Sequence, residues 1–425
     1  MKEHIRAYPM VVLLLPLVAA ILLINYFHPL QSCPSEEQNF GFIITGSPVS
    51  TAKCERFETQ LIPQGKVYLY LLRDSTRALP TYGDTVVART TIDWNRSTGR
   101  AFAARYQILP AHKPKIPLQV RLFRRLSNAG LQGDELATVG AITLGYKDEL
   151  DPDLRHRFQA SGAAHVLAVS GLHTGIIYGV LLWLLTLGGH IKPRYENQIG
   201  RCTISLIIIA VMWGYAWLTG MTPSVVRAVL MVTIFEIGRM MYRQSFSLNT
   251  IAAAAFLILL VHPTDLWSVS FQLSFAATTA IVLFVRPFEK LSHKLSIKGI
   301  WGKIYLWFIG TIIVSIAAQL GTVPITLYYF GQVSTYFLLT NLIVLPLATF
   351  LVPCGLITIL FGGCTIGLII GKITYALAWA MNHSVGWIES LPGSTIPGHV
   401  NGIMIAIYYL ILLSFCLLAY KPTPR

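Results

Sequence analysis

Charge is scarce in this sequence. Charged residues make up 12% of its 425 residues, whereas an ordinary soluble domain carries about 25%. So little charge argues against a water-soluble protein, and the hydrophobic share of 54% agrees with this. Apolar runs of about 20 residues recur along the chain, and a helix of that length crosses a bilayer. The composition therefore predicts a polytopic α-helical membrane protein.

Motifs for nucleotide hydrolysis and hydrolytic chemistry are absent as well. The stretch from Gly367 to Lys372 fails the phosphate-loop pattern in its spacing and lacks the final hydroxyl, so we expect no ATP motor. No HExxH motif, no His-x-His-x-Asp-His cluster and no GxSxG elbow occurs. We therefore expect no enzyme activity, no metal and no cofactor.

Cysteine is scarce too, with six residues in the chain. Cys33 and Cys54 lie in the polar stretch after the first apolar run, and the other four lie in or beside apolar runs. If the polar stretch faces an oxidising compartment, Cys33 and Cys54 are a candidate disulfide. Two unpaired thiols are an equally open alternative. No CxxC or mixed Cys/His zinc spacing occurs.

Polar and apolar stretches divide the chain into four predicted parts. The first apolar run, Tyr8 to Phe27, follows Lys2 and Arg6 as in a signal peptide, but it is long for one and no cleavage site follows. We therefore expect a retained anchor. The predicted parts are a cytoplasmic tip with the first transmembrane helix (1–28), an extracytoplasmic β domain (29–126), amphipathic interfacial helices (127–162) and a transmembrane domain (163–425).

The extracytoplasmic part is predicted to be a small β-barrel, with an OB-like fold as the leading hypothesis. Gly, Pro, Asn and Asp separate short stretches of strand-forming residues. Fourteen Lys or Arg and seven Asp or Glu between Pro29 and Arg125 give this part half of the net charge of +14. The predicted strands are Phe40–Thr45, Lys66–Arg73, Asp84–Trp94, Arg100–Ile108 and Pro117–Phe123.

Ten membrane spans are predicted. Basic loops at 189–201, 239–243 and 286–303 fall on the same side as both termini, and the alternate loops carry almost no positive charge. Because positive loops face the cytoplasm, both termini are predicted to be cytoplasmic and the β domain external. After the first span, the predicted spans are 163–188, 201–219, 224–242, 246–262, 267–286, 304–328, 335–360, 364–388 and 400–420.

The segment from His165 to His173 places polar groups at the head of an apolar run. Ser170 and His173 are one helical turn apart, and His165 lies about 80° round the same helix. Gly171 permits close packing or a local helix break. Two interpretations stay open. These polar side chains either line the wall of a polar conduit or only form hydrogen bonds to neighbouring helices.

A second polar segment runs from Gly220 to Ala228. Pro223 follows a turn, Ser224 is the expected N-cap, and Arg227 lies in the first turns of the helix. Arg227 either snorkels to the membrane surface or points inward to an anionic substrate. Glu236, nine residues further on, can be the ion-pair partner of Arg227 only if groups on another helix connect the two side chains. Further polar residues lie in later spans, where polar contacts between helices are the ordinary explanation: Gln272, Ser274, Gln319 and Asn341.

These segments resemble the ComEC-type competence family of bacterial membrane channels. The family pattern His-Leu-Leu-Ala-Val-Ser-Gly-Leu-His matches His165 to His173 with one substitution, at Val166. The pattern Gly-x-x-Pro-Ser-x-x-Arg-Ala matches Gly220 to Ala228. Phe-Gln-Leu-Ser-Phe at 271–275 and matches around Gln319, Pro324, Tyr329-Phe330-Gly331 and Asn341 follow in family order. Ser268 and Ser270 stand where relatives more often have Asp and Gly.

The resemblance implies an inner-membrane channel that takes up single-stranded DNA during natural transformation. Many members add a metallo-β-lactamase-like nuclease domain, which is not expected here because the chain stops at Arg425. A cytoplasmic ATPase or helicase, an extracytoplasmic DNA receptor and a separate nuclease are the implied partners. The alternative function is secondary transport of an anionic small molecule or lipid intermediate. Stacking is expected at Trp94 and Tyr106, and phosphate contacts are expected at Arg100, Arg105, Lys113, Lys115, Arg121, Arg124 and Arg125. A solvated basic face near anionic lipid headgroups is an equally open interpretation of these cations.

Overall fold

A computed structural model describes residues 9–27, 38–45, 49–50, 54–61, 65–72, 79–80, 84–95, 98–103, 106–109, 118–186, 197–241, 248–294 and 300–419. The chain divides into two compact units, which we call the β unit and the helical unit. The β unit comprises Pro16–Arg121 and Leu259–Ser268. The helical unit comprises Met1–Leu15, Leu122–Ile258 and Val269–Arg425.

The described part of the β unit contains one mainly antiparallel sheet. Its strands pair in the order β6-β7-β4-β3-β1-β5-β8, β2 pairs with β3, and β4 with β7 is the parallel pair. No pairing among the described strands joins β6 to β8, so the predicted closed OB-like barrel is not confirmed. The strands are β1 (Gln38–Ile44), β2 (Val49–Ser50), β3 (Cys54–Leu61), β4 (Gly65–Leu72), β5 (Thr85–Thr90), β6 (Ile92–Asn95), β7 (Thr98–Ala103) and β8 (Tyr106–Leu109).

Alternation of apolar residues explains which strands the sequence revealed. In β4, Val67, Leu69 and Leu71 are buried while the residues between them face the other way, as expected of a strand with one face on a core. β3 was not predicted, because the polar residues Glu55 and Thr59 occupy two of its buried positions. The predicted strands 84–94 and 100–108 are each two strands, β5 with β6 and β7 with β8.

The helical unit holds most of the helices. The described residues form α1 (Pro9–Phe27), α2 (Leu118–Asn128), α3 (Gly133–Leu144), α4 (Pro152–Ala160), α5 (Gly171–Leu185), α6 (Gln198–Leu218), α7 (Pro223–Met240), α8 (Leu248–Val261), α9 (Val269–Lys294), α10 (Ile300–Phe330), α11 (Phe337–Phe361), α12 (Thr365–Glu389) and α13 (Gly402–Ala419). A short 3₁₀ helix (Pro263–Trp267) and a two-stranded sheet of β9 (Gln332–Ser334) and β10 (Thr395–Pro397) complete the elements.

Each of the ten predicted spans overlaps one helix, namely α1 and α5 to α13. Among the described residues, three helices are long and apolar enough to cross a membrane, within α6, α10 and α11. Shorter apolar helices lie within α1, α5, α8, α9 and α13. The number of ten is therefore not confirmed, but the apolar helices indicate a membrane protein.

The predicted strand Pro117–Phe123 is wrong, because Leu118–Asn128 is the helix α2. Its apolar residues recur at helical spacing, with Leu126 fully buried four residues after Leu122. Arg125 donates from Nη1 to the carbonyl of Ile359 at 3.4 Å. Ile359 lies in the last turn of α11, where a cation complements the helix dipole.

The helix α3 lies inside the helical unit, although its region was predicted to be interfacial. Ala137 to Leu144 are all buried. A Cβ at Gly355 of α11 would lie 2.6 Å from Thr143 Cγ2, so the two helices meet at a glycine. Thr138 Oγ1 donates to Asn382 Oδ1 of α12 at 2.9 Å. Small residues and one buried polar contact thus fix α3 between α11 and α12.

A proline breaks the hydrogen-bond ladder of α10, and α13 supplies replacement donors. Pro324 has no N–H to donate to the carbonyl of Leu320. The Tyr408 hydroxyl donates to that carbonyl at 2.9 Å, and Tyr409 donates to the carbonyl of Gly321 at 2.6 Å. Hydrocarbon offers no water for such carbonyls, so these phenols keep the break satisfied.

Candidate functional site

The two polar segments singled out in the sequence meet in the helical unit. A Cβ placed on Gly145, the left-handed residue that ends α3 (φ 70°), would lie 3.4 Å from Val169 Cγ2 and 3.8 Å from Thr222 Cγ2. A Cβ on Gly171 would lie 3.9 Å from Cβ of Ala228. We call this meeting of 169–173 with 219–228 the motif junction. Small residues on both sides let the backbones approach.

Ser170 and His173 bond to each other through a helix cap, which neither of the two interpretations had included. Ser170 is the N-cap of α5, and its backbone N–H donates to Nδ1 of His173 at 3.1 Å. The Ser170 hydroxyl also lies 3.1 Å from that nitrogen. Because Nδ1 accepts a hydrogen bond, a neutral ring carries its proton on Nε2. His173 is fully buried, and Nε2 has no hydrogen-bond partner among the described residues.

His165 is not on the same helix as His173. The helix α5 begins at Gly171, and residues 161–168 form turns and bends, so the predicted start at 163 is wrong. The Nδ1 atom of His165 lies 3.1 Å from the carbonyl of Gly162, and the side chain is exposed. The turn arises because Gly162 adopts φ 90° and Ser170 caps the next helix.

Arg227 points into the protein. Its side chain is 3% exposed, and Nη2 donates to the carbonyl of Ser270 at 2.9 Å and to its hydroxyl at 2.7 Å. Ser270 is the second residue of α9 and one of the two departures from the family pattern. Both of these acceptors on Ser270 are neutral groups. The burial of Arg227 therefore favours the inward interpretation over snorkelling.

The start of α7 differs by two residues from the prediction. Thr222, not Ser224, is the N-cap, and Pro223 occupies the first helical position. Proline suits that position because its missing N–H has no helical acceptor there. The Thr222 hydroxyl is buried and has no hydrogen-bond partner among the described residues. Ser224 is half-buried in the first turn.

A buried polar network that the sequence analysis missed joins α5, α6 and α7. Glu236 is fully buried, and Oε1 accepts from Tyr178 at 2.7 Å and from Arg239 Nη1 at 2.9 Å. Oε2 accepts from the Ser205 hydroxyl at 2.6 Å. Glu236 thus pairs with Arg239 three residues on, while Arg227 bonds to α9. The signal was the Glu-x-x-Arg spacing inside an apolar helix.

The amides and the serine of the later spans lie at other helix contacts. Asn341 Nδ2 donates to the Ser315 hydroxyl at 3.0 Å and so joins α11 to α10, as the polar-contact interpretation expects. Its Oδ1 is buried with no hydrogen-bond partner among the described residues. Gln272, Ser274 and Gln319 are half-buried. The Ser274 carbonyl accepts a hydrogen bond from the Thr278 hydroxyl. Gln319 is the residue before Leu320, whose carbonyl loses its helical donor at Pro324.

The predicted DNA contacts are spread over different elements. Arg121, Arg124 and Arg125 lie on α2, where all three are exposed and Arg125 also reaches Ile359. Tyr106 packs against the apolar core of the β unit, so its ring is not an open stacking surface. Arg100 and Trp94 lie on β7 and β6, but their side chains are not described. Outside the described residues lie Cys33, the proposed partner of Cys54, and Arg105, Lys113 and Lys115.

The described residues contain no group of three or more His, Cys, Asp or Glu side chains suited to a metal. The chemistry of the motif junction is therefore that of a permanent cation, a buried imidazole and hydroxyl groups. Such groups bind and orient an anion. They are set in helices whose remaining surface is apolar, which marks them as functional candidates in a membrane protein.

Comparison with known proteins agrees with this location. The model of the Competence protein family matches residues 142–422. ComE operon protein 3 of Bacillus subtilis is 31% identical over 229 residues, 54% of this chain and 27% of that protein. Recombination protein 2 of Haemophilus influenzae is 24% identical over 227 residues, 52% of this chain and 28% of that protein. The chain thus covers under a third of either relative. No solved structure matches the chain significantly.

Proposed function

The chain belongs to the competence protein family, and from that premise we propose that it is a channel for single-stranded DNA in the cytoplasmic membrane. The observation that carries the proposal is the motif junction, where two family segments place buried Arg227 and His173 within one helical unit. A guanidinium attracts phosphate groups, and the carbonyl and hydroxyl of Ser270 orient Nη2 of Arg227.

In the proposed channel, each polar group has a role that its surroundings permit. Arg227 meets the phosphate backbone, held in place by Ser270. The His173 Nε2–H and the Thr222 hydroxyl, both buried without partners among the described residues, donate to passing groups. Gln272, Gln319 and Asn341 extend the polar path along the later helices. The Glu236 network holds α5, α6 and α7 in register.

The proposed arrangement in the cell follows the loop charges. Ten helices cross the inner membrane, both termini are cytoplasmic, and residues 29–126 are extracytoplasmic. The strand passes this chain without being cut. Pulling is done by a cytoplasmic ATPase or helicase, delivery by an extracytoplasmic DNA receptor, and any degradation by a separate nuclease.

The test is uptake of labelled DNA by a host known to take up DNA, carrying a clean deletion of the gene. The deletion is complemented at matched expression by wild type, Arg227→Ala or Arg157→Ala, the last an exposed arginine of the helical unit. We expect Arg227→Ala to reduce uptake about 10- to 100-fold, the equivalent of one lost charge-assisted hydrogen bond. Arg157→Ala restores full uptake.

Two results would count against the proposal. Unchanged uptake in the deletion strain would remove the DNA-channel function and favour transport of a small anion, which a buried guanidinium serves equally well. Full rescue by Arg227→Ala would leave the family function in place but remove Arg227 from the path of the strand.

A further inference from the structure

The sheet of the β unit has an aromatic surface on the side away from its core. Val67, Leu69 and Leu71 of β4 are at most 1% exposed. Because side chains alternate along a strand, Tyr68 and Tyr70 lie on the opposite face. Phe102, which lies between the buried Ala101 and Ala103 of β7, faces outward for the same reason. We call Arg56, Tyr68, Tyr70 and Phe102 the aromatic face.

Strand register sets these residues side by side. Arg56 of β3 is opposite Tyr70 of β4, and Tyr70 is in turn opposite Phe102 of β7. The Tyr70 and Phe102 rings are stacked, with centroids 4.6 Å apart and planes 17° apart. Phe102 is 64% exposed. The Phe102 ring is thus presented outward, with the half-buried Tyr70 ring packed against it.

Positive charge lies beside these rings. The Arg56 guanidinium carbon lies 5.2 Å from the centroid of the Tyr68 ring. Its Nε is buried with no hydrogen-bond partner among the described residues. Register places Arg100 opposite Tyr68 on β7, with Glu58 on the other side of Tyr68. The row Arg56–Tyr70–Phe102 therefore combines a cation with two rings.

Rings interleaved with cations suit single-stranded nucleic acid. Unpaired bases expose flat faces that stack on aromatic side chains, and cations contact the phosphates between them. A duplex hides its base faces, and a small anion has none. This inference rests on the proposed function for the identity of the strand as DNA. We propose that bases of single-stranded DNA stack on Tyr70 and Phe102 while Arg56 contacts the backbone.

The experiment separates base stacking from charge. The purified full chain in lipid nanodiscs is titrated against two fluorescent oligonucleotides of equal length, oligo-dT and an abasic strand with the same phosphates. Wild type is expected to bind oligo-dT more tightly than the abasic strand. Phe102→Ala and Tyr70→Ala each weaken oligo-dT binding about 5- to 100-fold and leave abasic binding unchanged.

Two further variants guard against a folding artefact. Tyr70→Phe keeps the ring and is expected to bind as wild type does. Leu109→Ala removes an equally exposed apolar side chain, 54% exposed, from β8 at the far end of the sheet order. It is expected to change neither titration.

The outcomes distinguish this inference from the proposed function. Equal affinity of wild type for both strands, or an oligo-dT preference that survives both alanine variants, overturns the aromatic face as a DNA site while the channel stands. Variants that bind DNA normally but lose uptake in cells assign the face to another partner and also overturn it. Wild type that binds neither strand, in a host whose deletion still takes up DNA, overturns the channel itself.

Discussion

The strands of the β unit and the helix α6 of the helical unit differ in which side chains they expose. The described strands of the β unit expose three large apolar side chains, Leu72, Phe102 and Leu109. The helix α6 alone exposes five, Ile199, Leu206, Ile207, Val211 and Trp217, while Glu236 and Arg227 of the neighbouring α7 are buried. The strands therefore follow the pattern of a surface in water, and α6 that of a surface in lipid. The strands of the β unit and the helix α6 are thus built for different solvents.

The largest effect is expected where a charge enters the apolar core of the β unit. Leu69 is fully buried in β4, and Leu69→Asp places an unpaired carboxylate there. We expect the free energy of unfolding to fall by more than about 4 kcal/mol, which is enough to unfold a domain of this size. The resistance of the strands to protease digestion reports whether the domain has unfolded. Leu72→Asp, on the exposed side of the same strand, is the control and should remain resistant. Equal resistance of both variants would show that β4 has no buried face.

The reverse exchange, from charged to apolar, is expected to harm the helical unit. Glu236→Leu leaves the partly buried Arg239, 16% exposed, without its carboxylate and should cost up to about 3–5 kcal/mol of stability. Adding Arg239→Leu removes the stranded charge, so the double variant should regain part of the loss. Thermal unfolding in detergent measures both, with the exposed Glu149→Leu as control. A single variant as stable as wild type would mean that the network contributes nothing.

The solvent contrast itself can be tested at two residues of similar exposure. Leu206 at the middle of α6 is 58% exposed, and Leu109 of β8 is 54% exposed. If α6 faces lipid, Leu206→Arg should cost about 2.5–3.5 kcal/mol of insertion energy, while Leu109→Arg in water should cost almost nothing. Membrane insertion measured by glycosylation mapping compares them. Equal insertion of both variants would contradict the contrast.

The smallest effect concerns the proline break of α10. Tyr408→Phe removes the donor to the Leu320 carbonyl and should cost about 1 kcal/mol. In a Pro324→Ala background the restored N–H reaches the same carbonyl, so Tyr408→Phe should then cost less. Thermal unfolding of the four proteins gives the coupling. If Tyr408→Phe lowers the stability equally with proline or alanine at position 324, the Tyr408 hydroxyl does not compensate for the missing proline N–H.

Many helices and strands, and several candidate site residues, could be predicted because they depend on local sequence patterns. Ten apolar segments gave ten helices, and alternation gave β1 and β4. The ordered motifs located the Ser170–His173 pair and Arg227. The α2 error came from reading Leu118 to Leu126 with the wrong period. The Glu236 network was missed because its donors Tyr178 and Ser205 lie 58 and 31 residues away in sequence.

The sequence by itself determined the membrane class, the family motifs and the approximate positions of the ten apolar helices, since hydrophobic length is a local property. Only the tertiary structure decided that Arg227 bonds to Ser270, that Glu236 joins three helices and that Tyr70 stacks on Phe102. Each depends on which elements pack together. A buried charge or an exposed ring takes its meaning from neighbours that are distant in the chain.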